Sequence, residues 1–466
     1  MGEFGSTGKP RETAEYRVPR RTLLAASVLG TTAMGTSTTS NAAVAASTPL
    51  SWQGSTPSTS ELPLIGGPEF PIGLFWPPHP FATTVERYRE IKDAGFTWVM
   101  TGNYLLDRWV IRHAMGVAGE VGLKMVVAAD ERLMTMTRMM NISEDGSEVR
   151  SLSRAEARTM LKEVLSFWAN QPAFAGISFY DEPRPEKFET VRIAFSLLRE
   201  LAPTLLPFAN LFPGRGDAYT EYVRQFVSTV KPSVISFDRY PLRADGTNDP
   251  NYFDNWSRVR AEGLATGLPT WTYIQSVGHL DLRDPTAEDL LWQVNISLAY
   301  GAKGIAYFTY WTPDPARGEG YRKALVSVNG ERTDIYDGAR DVNTRWLRQV
   351  GRQLKPLVSE QVVHANDDPL PPGASAFEPD GYVRSVVGSP LVLGRFRSAD
   401  PGDRTRWLLI TNRHSATTAR SVVEFGSASA GRIERYEPEA DRWLAERGSH
   451  LDLVLAPGAA TLLSTG

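Results

Sequence analysis

Cysteine is absent from the 466-residue chain, which excludes disulfides, thiolate metal sites and a cysteine nucleophile. Histidine is scarce, six in all and far apart, so a histidine-based metal site has little to draw on. Neither sign of charge dominates. Fifty Lys and Arg against 53 Asp and Glu leave a formal charge of -3, and nothing electrostatic points to nucleic acid. No apolar run approaches the ~18 residues of a membrane span, so no stable membrane anchor is expected. Two catalytic signatures are also missing, the Gly-x-Ser-x-Gly elbow of serine hydrolases and the His-Glu-x-x-His helix of zincins. What is present, 42% apolar and 22% charged residues, is ordinary globular composition with length for two or three domains. The 12 Trp, 16 Tyr and 19 Phe serve either as core or as exposed faces on which sugar rings pack.

The chain opens with a targeting pattern over residues 1–46. Arg20-Arg21-Thr22-Leu23-Leu24 leads into a weakly apolar stretch and small residues ending Ala43-Val44-Ala45, the plan of a twin-arginine export signal. A Ser/Thr/Pro linker over residues 47–66 follows. From residue 67 to 358 apolar β-type runs alternate with helical periodicity. The strands are expected over 70–76, 96–100, 123–129, 176–182, 206–211, 234–240, 269–275 and 304–311. Helical segments end on glycine at Gly95 and Gly122, and Ser153 with Glu156 forms a capping-box pattern. Eight strands alternating with eight helices predict an α/β chain folded as a (β/α)8 TIM barrel. No phosphate-cradling glycine fingerprint follows the first strand, which disfavours a doubly wound sheet. Over residues 359–466 short β runs (391–396, 407–412, 421–425, 451–455) follow one another without helices, the pattern of a small antiparallel β-sandwich.

In such a barrel the active site lies at the C-terminal strand ends. There the sequence places Trp76 and His79; Asn103 and Tyr104; Asp130 and Glu131; Asp181 and Glu182; Asn210; Asp238, Arg239 and Tyr240; Gln275 and His279; Tyr307, Tyr310 and Trp311. Carboxylates, amides and aromatics without clustered histidines suit glycoside hydrolysis, which needs one carboxylic acid to protonate the leaving oxygen and a second carboxylate as nucleophile or base. No cofactor is implied. The run Gly176-Ile177-Ser178-Phe179-Tyr180-Asp181-Glu182-Pro183 stands out, because two carboxylates at the end of a buried strand are costly unless partnered.

This run, the eighth-strand segment Gly304-Ile305-Ala306-Tyr307-Phe308-Thr309-Tyr310-Trp311 and the preceding Gln293–Gly304 stretch resemble the (β/α)8 glycoside hydrolases of the β-galactosidase/β-glycanase clan. The fourth strand of that clan ends in Asn-Glu with the Glu as acid/base. The resemblance therefore implies that Glu182 is the general acid, that Asp181 contacts a sugar hydroxyl, and that Trp311 floors the sugar subsite. The same clan carries a nucleophilic Glu at the end of strand seven, where this chain has Gln275, and an amide cannot form a glycosyl ester as a carboxylate does. Three explanations stand open. The second carboxylate comes from another strand, with Asp238 ahead of Glu131 and Asp130; strand seven is aligned differently; or the protein binds sugar without cleaving it. A metal-assisted hydrolase holding its ion with Asp130, Asp181 and Asp238 is a further alternative. Arg239 is expected to keep Asp238 ionised and Tyr180 to desolvate Glu182. Substrate contacts are expected from Asp181, Asn103, Tyr104, Glu131, Asn210, Tyr240, Gln275, His279, Tyr310, Trp311 and Trp76, with a carbohydrate as the partner.

Overall fold

The computed structural model describes residues 62–429 and 433–465; the export-type segment and linker residues 47–61 lie outside the described residues. Eight parallel strands close into a barrel: β1 Ile72–Phe75, β2 Trp98–Met100, β3 Lys124–Val127, β4 Phe174–Asp181, β5 Leu206–Leu211, β6 Ile235–Asp238, β7 Thr270–Gln275 and β8 Gly304–Phe308. Each pairs with its sequence neighbours and β1 with β8, so no edge is left open. Helices return each strand along the outside. In the helix Arg154–Trp168, Ala157, Leu161, Val164 and Trp168 are buried at helical spacing, and both arms of the Ser153–Glu156 capping box form.

The lumen is packed rather than hollow. Trp98 and Trp271 lie 5.6 Å apart across it with Phe208 against both. Their indoles need glycine on the adjoining strands, since a Cβ on Gly73 would come 2.1 Å from the Trp98 ring and one on Gly304 2.7 Å from Trp271. Leu62 and Leu64, on and beside the helical turn Pro63–Gly66, are buried in the same cluster, so residues 62–66 belong to the barrel rather than to the expected linker.

After the helical stretch from Asp334 to Leu354, two antiparallel sheets form the sandwich. One has six strands in the order 358–365, 391–397, 406–412, 460–465, 433–437, 442–446; the other has three, in the order 383–388, 419–425, 450–455. Their inner faces enclose Val363, Leu393, Ile410, Val423, Leu453 and Leu463. The helix Ala287–Ala299 is buried nearly all round because it is wedged between barrel and sandwich. Trp292 Nε1 donates to the Arg413 carbonyl and Asn295 Nδ2 to that of Gly458, both at 2.9 Å. Among the described residues no helix is long and apolar enough to cross a membrane.

Candidate active site

The end of β4 is shaped by a bulge. Ser178 pairs with Phe208, but Tyr180 then pairs with Ala209 and Asp181 with Asn210, so Phe179 is an extra residue. Strict alternation would turn Tyr180 into the lumen and Asp181 toward the helices; the extra residue reverses both. Tyr180 packs on the outer layer, with the Arg138 and Lys187 cations 6.0 and 5.9 Å from its ring. Asp181 comes level with lumen-facing Asn210. The expectation that Tyr180 desolvates Glu182 is therefore corrected. Glu182 follows at φ 55, left-handed for a residue with a Cβ, which costs on the order of 1–3 kcal/mol. Its N–H donates to the Asn210 carbonyl at 2.7 Å, and the next carbonyl, of Pro183, accepts from Tyr222 Oη at 2.7 Å.

Asn210 joins the two catalytic candidates. While its backbone carbonyl holds Glu182, its Nδ2 donates to Asp238 Oδ1 at 3.0 Å, and its Oδ1 accepts from Ser236 Oγ at 2.9 Å. Asp238, at the end of β6, is 2% exposed. Burial pushes the Tyr219 and Tyr222 hydroxyls up, and the charges of both Glu182 and Asp238 push the same way. Asp181 and Asp238 act likewise on buried Tyr273, whose Oη lies 3.3 Å from Met100 Sδ. The three carboxylates thus face one neighbourhood at the C-terminal mouth.

Aromatic rings wall this mouth. Phe308 stacks on Tyr240 at 5.1 Å and on Phe75 at 5.9 Å; His279 stacks on Tyr321 at 5.0 Å; Trp76 lies between Tyr321 at 6.2 Å and the Arg317 guanidinium at 4.4 Å. Arg317 and Tyr321 both bond Glu319, which knits the loop after β8 over the barrel. Trp76, Tyr240 and His279 were legible from the sequence. Phe75, Phe308, Arg317 and Tyr321 were not. Strand parity would have found the first two, whereas the loop carries no periodic signal.

Several predicted residues lie elsewhere. Trp311 is 3% exposed in the outer layer, with His79 edge-on at 5.4 Å and Arg87 at 5.8 Å, so it floors no subsite. Tyr310 is likewise buried there, edge-on to Phe96. Tyr307 turns outward too, and its hydroxyl donates to Asn343 Oδ1 at 2.8 Å. Alternation along β8 points Phe308 inward and Tyr307 outward, whereas Tyr310 lies past the end of the strand. Asn103 spends its amide on the Pro77 carbonyl at 2.7 Å, bracing two loops, and Tyr104 beside it is half exposed. Asp130 Oδ1 accepts from the Arg132 and Leu133 N–H groups as a helix cap, and Glu131 is exposed. Among the described residues no three or more His, Asp or Glu are grouped to hold a metal. Arg239 turns to Asp249, 2.7 Å from its Nε, and to the Gly214 carbonyl.

Gln275 is fully buried and works as a tie between loops. Its Oε1 accepts from Leu242 N–H at 3.0 Å and its Nε2 donates to the Arg283 carbonyl at 2.8 Å.

No family model and no curated protein matches the chain. Among solved structures it is similar to a family 27 β-L-arabinopyranosidase from Geobacillus stearothermophilus (10% identity, TM-score 0.46, covering 86% of this chain and 97% of that one). It is also similar to α-galactosidase I from Mortierella vinacea (12%, 0.47, 85% and 97%) and to a family 30 xylanase from Clostridium acetobutylicum (12%, 0.42, 85% and 95%). The closed eight-stranded parallel barrel is established by the chain's own strand pairing.

Proposed function

We propose that the protein is a glycoside hydrolase that cleaves an O-glycosidic bond, with Glu182 as general acid and Asp238 as nucleophile or base. The observation that carries this reading is the Asn210 link, through which one residue holds the Glu182 backbone and the Asp238 carboxylate together at the mouth of a closed barrel. Glu182 would protonate the leaving oxygen, and Asp238 would attack the anomeric carbon or activate a water. The Asn210 amide, oriented by Ser236, donates to Asp238, which favours its anionic form. Asp181 would hold a sugar hydroxyl, and half-buried Tyr240 would lie along the apolar side of a pyranose. An oligosaccharide or glycoside is the substrate class this wall supports.

A panel of aryl glycosides and oligosaccharides tests the reading. Glu182→Gln should lower turnover by ~10²–10⁴-fold, the usual contribution of a positioned acid, and Asp238→Asn should do at least as much. Unchanged turnover in either variant would remove that residue from its role. Sugar binding without cleavage, the alternative function, is sunk by hydrolysis of any member of the panel. The residue 1–46 pattern supports export, and cleavage after Ala45 in the full chain, read by mass spectrometry of the mature N-terminus, would test that.

A further inference from the structure

At the opposite end of the barrel, below the N-terminal ends of β7 and β8, an open pocket of about 380 Å³ lies between barrel and sandwich. Three cations line it: Arg260, Lys303 and Lys355. No Asp or Glu is among the described lining residues. Lys303 Nζ donates to the Leu354 and Leu357 carbonyls at 2.6 and 2.5 Å, and Lys355 Nζ to those of Gly67 and Glu69. Arg260 donates to Ser359 Oγ at 2.9 Å and to the Ser359 carbonyl at 3.3 Å. Every one of these acceptors is uncharged. The nearby Glu69 carboxylate is turned to Arg348 instead, at 3.1 Å.

Three basic side chains thus share one cavity with no carboxylate of the described residues bonded to any of them, Glu69 acting on Lys355 only from a distance, and each keeps N–H groups beyond those already used. Burial lowers the proton affinity of all three, with Lys303 pushed down to about 7, so an anion in the pocket would offset a desolvation penalty already present. Between the cations the walls are apolar, from Leu264, Leu268 and Val358. We propose that this pocket is a binding site for a small oxyanion carried on an apolar body, such as an aryl phosphate, sulfate or carboxylate. The site is separate from the carboxylate mouth and independent of the reading given for it.

Phenyl phosphate titrated into the full chain by calorimetry, at constant ionic strength in chloride, tests the assignment. One saturable site is expected, with a millimolar or tighter Kd. Inorganic sulfate should bind the same site more weakly, for want of the apolar body. Arg260→Gln should weaken phenyl phosphate at least tenfold. Leu264→Glu, at a position 42% exposed on the rim, should do the same while leaving all three cations in place, and it decides the matter if the arginine variant does not fold. No saturable heat with wild type, or binding that survives either folded substitution unchanged, overturns the proposal.

Discussion

At the scale of single residues, Asn210 holds the site together. An amide has a donor end and an acceptor end, and here Ser236 occupies the acceptor, leaving the donor for Asp238. Asn210→Ala removes both partners in a buried place. It should cost about 1–3 kcal/mol of stability, read from urea unfolding. Turnover should fall more than substrate affinity, because the aromatic wall survives. Equal kcat and an intact stability would mean that Asp238 does not depend on this bond. The residue type at 210 was visible in the sequence as a polar strand end, but its task was not. Reading it as a sugar contact missed that a buried carboxylate two strands from Glu182 needs a donor.

At the scale of elements, strand ends decide which side chains face the mouth. The Phe179 bulge exchanges Tyr180 and Asp181, and a left-handed Glu182 re-aims the chain once more. Gln275 shows the same rule from the other side. It stands where the resembling clan keeps a nucleophile, yet its amide bridges the loops after β6 and β7. Gln275→Glu should therefore create no nucleophile. It would set a carboxylate oxygen against the Arg283 carbonyl in place of a donor, costing about 1–3 kcal/mol in thermal or urea unfolding, with turnover no higher than wild type. A rise in turnover would restore strand seven to the mechanism.

At the scale of the whole molecule, barrel and sandwich are joined through buried polar contacts that titrate. His364, on the first sandwich strand, lies between Tyr300 Oη at 3.1 Å and Asp367 Oδ2 at 2.9 Å. Burial holds His364 below its usual 6.5, outweighing Asp367, so the unfolded chain takes up a proton at a higher pH than the fold does. Stability should fall as pH drops below 6.5. Bonds from His364 and Arg413 hold Asp367 below its usual 3.8 despite burial, so its contribution is present above 3.8 and lost as pH falls through the lower folded value. His364→Gln should flatten the dependence of unfolding free energy on pH just below 6.5 and leave the Asp367 limb; an unaltered slope would assign that limb to other groups.

The sequence by itself determined the alternation of eight strands with eight helices, the order of barrel and sandwich, and Glu182 at the close of the fourth strand. All of these follow from local periodicity, caps and turn residues. Edge details of the sandwich escaped it: the strands 358–365, 383–388, 433–437, 442–446 and 460–465 are short or mixed in polarity, and pairing defines them more than pattern does. Only the tertiary structure decided which strand-end residues share the mouth. A one-residue bulge, a left-handed backbone at Glu182 and an amide shared between strands leave almost no periodic trace, although they turn Asp181 inward and Tyr180 outward and tie Asp238, through Asn210, to the strand end that carries Glu182. Facing in a barrel is set by register between neighbouring strands, and register is a property of contacts rather than of any one segment.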